Sequence, residues 1–128
     1  MNQEVMLVLL ALTVFQFKHF LCDFALQTPF QIDNKRYYGH IGGIIHSGLH
    51  ALFSIPALFI LTRSPQTILI LIVAEFLIHY HADFFKARID QHYFLTGKTS
   101  SYWVIFGLDQ LIHQLTYLAM VVAVLHGI

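Results

Sequence analysis

Four stretches of the sequence each carry a pair of histidine or carboxylate side chains four residues apart. This spacing places both side chains on one face of a helix, one turn apart. Imidazole and carboxylate groups bind zinc, manganese and iron, and helical bundles build metal sites from such residues on facing helices. The sequence therefore predicts a metal centre of one or two divalent ions, with zinc expected ahead of manganese or iron. The candidate ligands are His19 and Asp23, His46 and His50, His79 and Asp83, and Asp109 and His113.

Long apolar segments must position these pairs. The chain of 128 residues is 57% hydrophobic and 11% charged, whereas soluble domains carry about 25% charged residues. A helix that crosses a bilayer needs about 20 apolar residues and satisfies its own backbone hydrogen bonds. The predicted fold is all-α, an integral membrane four-helix bundle with up-down-up-down topology in a single domain over residues 1–128. The helices are expected at about 5–26, 41–62, 66–86 and 102–125.

The four pairs are expected at a common depth. In such a bundle, the C-terminal ends of the first and third helices meet the N-terminal ends of the second and fourth. At about 1.5 Å of rise per residue, one member of each pair falls about 7–10 Å inside the edge formed by the two long loops. These members are His19, His46, His79 and Asp109. Agreement among four helices indicates a shared pocket rather than scattered polar residues.

The charged residues and the cysteine content exclude some functions and predict the orientation in the membrane. The net charge is zero, with no basic field suited to nucleic acid, and the single cysteine, Cys22, excludes an internal disulfide. Basic residues concentrate in the two long loops and the adjoining helix ends, whereas Arg63 lies on the opposite side. The positive-inside rule therefore predicts that both long loops are cytoplasmic and both termini outside.

Other polar residues lie near the four pairs on the same helices. Glu75, one turn before His79, is a candidate general base if it does not bind metal. Lys86, seven residues after His79, is a second candidate catalytic residue, which could hold a phosphate or a substrate carboxylate. Lys18 is expected to extend to the lipid headgroups, and Gln110 is expected to point away from the ligands.

Four strings in this order resemble a bacterial integral-membrane family catalogued as a domain of unknown function: KHFLCDFALQ, HSGLH, EFLIHYHADFFK and DQLIH. The resemblance covers nearly the whole chain. It implies a bacterial inner-membrane location, marks the four pairs and Glu75 as the family's polar positions, and supplies no activity. The HSxxH-like element and the scatter of histidine and aspartate also resemble, more remotely, inner-membrane metal-dependent hydrolases and membrane ceramidase-like hydrolases, at the level of site type alone.

The favoured function is a membrane-embedded metal-dependent hydrolase. A bound metal activates water, and a shallow site can be reached by a lipid or amphiphilic substrate from the headgroup region. Two other functions stay open: a di-iron or other redox metalloenzyme acting on lipids, and a small proton or metal transporter. A polar core that only joins the helices and assembly into a homo-oligomer also stay open.

Overall fold

The computed structural model describes residues 2–127, and every regular element in that range is helical. Four segments are long and apolar enough to cross a membrane, which confirms the predicted membrane helical bundle. They are Gln3–Ala25, Ile41–Leu61, Pro65–His92 and Ser100–Leu125. The elements in chain order are α1 (Gln3–Phe20), a π-helical turn (Leu21–Ala25), α2 (Pro29–Asn34), α3 (Ile41–Phe53), α4 (Ile55–Leu61), α5 (Pro65–His92) and α6 (Ser100–Leu125).

An apolar core fills the end of the bundle that carries both termini. Phe15 of α1 stacks on Tyr117 of α6 with ring centroids 5.0 Å apart. The same cluster contains residues from the end of the second segment and the beginning of the third: Ala57, Leu58, Ile68 and Leu71. Because late residues of one segment meet early residues of the next, successive segments run in opposite directions. The polar pairs are thereby gathered at the other end.

Burial follows the rule for a protein surrounded by lipid. Phe17 and Phe20 of α1 are 68% and 58% exposed, whereas Lys18 and His19 between them are buried. In a bilayer the solvent of the outer surface is itself apolar, so large hydrophobic side chains can face outward. Polar groups lie in the interior, where they find partners.

Two irregularities interrupt the segments beside the polar end. In the π-helical turn the amide of Leu26 donates to the carbonyl of Leu21 at 2.8 Å, an i to i+5 bond. The second segment breaks at Ser54, two residues before Pro56, which has no backbone N–H to donate. The Ser54 hydroxyl donates to the carbonyl of His50 at 3.1 Å.

The first long loop contains a short helix, α2, that was not predicted from the sequence. Thr28 and Gln31 form a capping box around α2, and Pro29 occupies its first turn. This short helix packs closely on α3, since a Cβ added at Gly42 would lie 2.9 Å from the carbonyl oxygen of Phe30. Its C-terminal cap is Lys35. The third segment also extends to His92, beyond the expected end at 86.

Candidate metal centre

A first group of potential ligands joins three segments of the chain. Asp23 lies in the π-helical turn, His46 and His50 on α3, and His79 on α5. One donor atom from each lies within 4.8 Å of the others. The Nε2 atoms of His46 and His50 each lie 3.1 Å from Oδ1 of Asp23. The i, i+4 spacing of the two histidines places both rings on the same face of α3.

A second group shares His79 with the first. It consists of His79 and Asp83 on α5 and His113 on α6. Nε2 of His79 lies 3.4 Å from Oδ2 of Asp83, and Nε2 of His113 lies 3.4 Å from Oδ1 of the same carboxylate. Asp109 adjoins this group, with its Oδ1 3.4 Å from Nε2 of His113. The two groups, each of which could hold a metal ion, therefore lie side by side and share His79.

The shortest separations match those of ligands around a single ion. Four ligands placed tetrahedrally about 2.0–2.1 Å from zinc lie about 3.3–3.4 Å from one another. The shortest histidine–carboxylate contacts within the two groups measure 3.1–3.4 Å, and all the donor atoms of each group lie within 4.8 Å of one another. The residue types fit as well, because imidazole nitrogen and carboxylate oxygen are ligands for zinc, manganese and iron.

Hydrogen bonds do not account for all the close contacts among these donor atoms. Nε2 of His46 lies 3.1 Å from Asp23, 3.2 Å from Asp83 and 3.3 Å from Nε2 of His79. A neutral ring nitrogen carries at most one proton, which it can give to one acceptor. Oδ1 of Asp109 and Nε2 of His113, 3.4 Å apart, do not meet the geometry of a hydrogen bond, and neither buried atom has another hydrogen-bond partner among residues 2–127. Buried polar atoms left in this state are rare, and these buried groups could hold a metal ion.

His19 contacts the first group without belonging to it. Its Nε2 lies 3.2 Å from Oδ2 of Asp23 and 2.8 Å from Oε1 of Gln110, while its Nδ1 lies 2.9 Å from the Tyr117 hydroxyl. The amide nitrogen of Gln110 in turn lies 3.3 Å from Oδ2 of Asp23. The expectation that Gln110 points away was wrong. Gln110 and His19 instead hold the outer oxygen of Asp23, so that Oδ1 faces His46 and His50.

Lys18 is buried inside the bundle, which corrects the expectation that it extends to the headgroups. Its side chain is 3% exposed and forms an ion pair with Glu75, which is 1% exposed. Its Nζ also donates to the carbonyl of His50 at 3.1 Å. An unpaired charge is costly in a membrane interior. Glu75 on α5 was therefore the feature of the sequence that could have indicated a buried partner for Lys18. Glu75 lies in neither ligand group, and its role as a general base stays a prediction.

A family model described as a protein of unknown function (DUF3307) matches residues 8–127. The chain belongs to this family. The match contains all four strings on which the resemblance was based, and that prediction is confirmed. No curated protein and no solved structure matches the chain. The family assignment thus leaves the activity to be argued from the site.

In this member of the DUF3307 family, a pocket of about 490 Å³ opens directly over the ligand groups. Asp23, Asp83 and Asp109 all line it. Ligand pockets usually measure about 300–1,000 Å³, so the cavity can admit a substrate of moderate size. The carboxylates that could bind metal are therefore accessible from one side.

Three basic side chains also line this pocket. Lys35, after α2, places its Nζ 2.8 Å from Oδ2 of Asp83. Lys86 lies on the wall, 2.7 Å from Oδ2 of Asp90. Arg36 is the third. Lys86 was singled out from the sequence, whereas Lys35 and Arg36 were not. The capping-box sequence of α2 was the signal that could have placed them.

Proposed function

We propose that the protein is a membrane-embedded metal-dependent hydrolase that acts on a lipid or amphiphilic substrate. The observation that carries the proposal is the convergence of histidine and aspartate donor atoms from four segments, 3.1–3.4 Å apart, beneath an open pocket. A structural polar core needs paired donors and acceptors, whereas this arrangement favours a cation. The pocket above the ligands favours a catalytic ion, which a substrate must reach, over a purely structural ion.

The donor set favours zinc, with manganese or iron as the other candidates, in one or two positions. It consists of nitrogen and oxygen, and Cys22 belongs to neither group. A divalent ion supplies an activated water and polarises a substrate oxygen, which is the chemistry of metal-dependent hydrolases. Around it, His19 and Gln110 would orient Asp23, as outer hydrogen-bond partners orient metal ligands elsewhere.

Glu75 fits a positioning role better than the predicted role of general base. It pairs with Lys18, whose Nζ donates to the carbonyl of His50. The carboxylate of Glu75 is not among the groups that line the pocket. Through Lys18, it would fix the α3 backbone beside the break at Ser54 and hence the direction of the His50 ring.

The proposed location is a bacterial inner membrane, with the pocket on the cytoplasmic side and both termini outside. The support is the bias of basic residues towards the pocket end of the bundle. Cys22, the native cysteine, is 2% exposed, so single cysteines introduced elsewhere can be labelled selectively. We expect Lys98→Cys to react with an impermeant maleimide only after the membrane is opened, and Arg63→Cys to react in intact cells. The reverse pattern would contradict this orientation.

Elemental analysis of the purified protein tests the metal centre. We expect stoichiometric zinc, manganese or iron in the wild type and its loss in His46→Ala. The matched control is His92→Ala, because His92 is exposed at the end of α5 and belongs to neither group. Helical circular dichroism must be retained in both variants. Metal-free wild-type protein with full helical structure, unable to take up these ions from solution, would refute the proposal.

The metal analysis also separates the proposed hydrolase from the alternatives. Bound iron with a visible absorption band and oxygen consumption in the presence of lipid would favour a redox enzyme. Flux across liposome membranes that depends on Asp109 would favour a transporter. Lipid hydrolysis that requires the metal and is lost in His46→Ala would favour the hydrolase.

A further inference from the structure

We infer that the pocket over the ligand groups binds the phosphate of a phosphorylated amphiphile, so that the substrate is a phosphate monoester attached to a lipid-like chain. This inference rests on the proposed hydrolase function and names its substrate class. It depends on the basic side chains of the pocket wall, on the charge of the pocket once ions are bound, and on the apolar surface beside it.

The charges around the pocket favour a dianion. Five carboxylates and three basic side chains line it, which gives a formal charge of −2. Two divalent ions, one in each ligand group, would change this to +2. A phosphate monoester carries close to two negative charges at neutral pH, and it would neutralise the loaded pocket. A neutral ester or amide headgroup would leave that positive charge without a partner.

The basic side chains are available to a ligand. Nε of Arg36 is buried and has no hydrogen-bond partner within residues 2–127. Lys35 contacts Oδ2 of Asp83 at 2.8 Å, an oxygen that an ion in the second group would bind instead. The ammonium of Lys35 would then be free to turn to the phosphate. Arginine in particular matches phosphate through a planar fork of N–H donors.

Lys86 is held at the pocket wall, and its ammonium keeps N–H donors that can bind a ligand. Its Nζ lies 2.7 Å from Asp90 and 4.8 Å from the centre of the Tyr102 ring. These contacts fix the ammonium beside the pocket, and a lysine has three N–H donors of which Asp90 takes one. Lys86 and Arg36 thus line the pocket beside the three carboxylates that could hold the ions.

The apolar part of the lining indicates that the phosphate is carried by a hydrophobic molecule. Phe24 and Ile32 line the pocket and are 58% and 52% exposed. Phe24 also stacks on Phe20, an exposed residue of α1 outside the pocket lining, with ring centroids 5.8 Å apart. The pocket is therefore continuous with the surface that faces acyl chains. A headgroup can enter it while its chain stays in the membrane.

The implied reaction is hydrolysis and needs no oxidant or further co-reactant. The oxygen of a water molecule forms a bond to phosphorus, and the bond between phosphorus and the ester oxygen breaks. A proton from the water ends on the leaving oxygen. The products are inorganic phosphate and the amphiphile with a free hydroxyl group.

The test measures binding and turnover in the metal-loaded protein in detergent micelles. The probes are dioctanoyl phosphatidic acid, dioctanoyl glycerol and inorganic phosphate, with affinity measured by calorimetry and turnover by phosphate release. We expect phosphatidic acid to bind at least about 10-fold more tightly than either other probe. We expect Arg36→Gln and Lys86→Gln each to weaken its binding about 10-fold, since each removes a charge-assisted hydrogen bond. Lys98→Gln, outside the pocket, should bind as the wild type does.

The outcomes separate this inference from the function on which it rests. Equal binding of phosphatidic acid and dioctanoyl glycerol, with metal content intact, would overturn the phosphate inference and leave the metal centre standing. Inorganic phosphate that binds as tightly as phosphatidic acid would overturn the lipid part and indicate free phosphate as the ligand. Protein that holds no metal would overturn both. Unchanged metal content in Arg36→Gln and Lys86→Gln shows that any loss of binding is not a loss of fold.

Discussion

Replacing Lys18 by methionine tests how strongly the buried ion pair stabilises the bundle. Methionine keeps the length and the apolar stem of the side chain and removes the ammonium. Glu75 is 1% exposed, and its Oε2 already has no hydrogen-bond partner among the described residues. In Lys18→Met the buried carboxylate therefore loses its cation at a position closed to bulk solvent.

The expected magnitude differs between the two partners. Removing one partner of a buried ion pair costs about 3–5 kcal/mol, and we expect Lys18→Met in this range. Glu75→Gln should cost less, about 1–3 kcal/mol, because Lys18 keeps the carbonyl of His50 at 3.1 Å and an amide oxygen in place of the carboxylate. Removing both charges in Lys18→Met/Glu75→Gln should recover at least about 2 kcal/mol relative to the sum of the single changes.

The assay is reversible unfolding in mixed micelles, with the free energy of unfolding obtained from an SDS titration followed by circular dichroism. The control is Asp90→Asn, which removes the partly exposed Lys86–Asp90 pair with side chains 20% and 17% exposed. Such a pair contributes about 0.3–0.5 kcal/mol. If Lys18→Met costs no more than this control, or if the double change is additive, the reasoning about the buried pair is refuted.

Three further predictions concern packing and metal. Gly42→Ala should destabilise the protein by about 1–3 kcal/mol, because the new Cβ would lie 2.9 Å from the backbone oxygen of Phe30. Gly48→Ala has nothing within 4 Å of its Cβ site in the described residues and should stabilise α3 by about 0.5–1 kcal/mol. Equal effects of Gly42→Ala and Gly48→Ala in the same unfolding assay would contradict the close packing of α2 on α3. His79→Ala should abolish metal binding in both groups and His113→Ala in one, so elemental analysis that finds the same metal loss in both would exclude shared ligation. Removal of metal with a chelator should lower the free energy of unfolding by about 2.7 kcal/mol relative to protein at a free-metal concentration 100-fold above Kd, and no change would argue against a site that binds in the folded state.

Much of the fold could be predicted because membrane helices leave a strong signal in composition. The four segments follow from apolar length alone, and the i, i+4 pairs fix which face of each helix turns inward. The convergence of His46, His50 and His79 follows from these two facts together with antiparallel order. Geometry of this kind is local, repeated in each helix, and readable without any tertiary information.

The wrong or missed predictions concern side chains whose positions depend on partners distant in the sequence. Lys18 was expected at the headgroups because a lone lysine near a helix end usually extends there, yet a carboxylate on α5 holds it inside. Gln110 was placed on the wrong face because it adjoins Asp109, although α6 turns it towards Asp23 and His19. Lys35 depends on α2, a helix too short for hydrophobic periodicity to reveal. Its capping box was visible in the sequence at Thr28 and Gln31.

The π-helical turn makes the length of the first segment, and not only its composition, a determinant of the site. Such a turn accommodates one more residue than a regular helix would, and turns of this kind are frequent at functional sites. Loss of Cys22 would allow continuous α-helical hydrogen bonding, and it would change the direction in which Asp23, inside the turn, points from the helix axis. Its carboxylate would then leave the rings of His46 and His50, which it now contacts at 3.1 Å. A one-residue deletion would thus give a more regular helix and remove a candidate ligand, although no candidate ligand had been substituted.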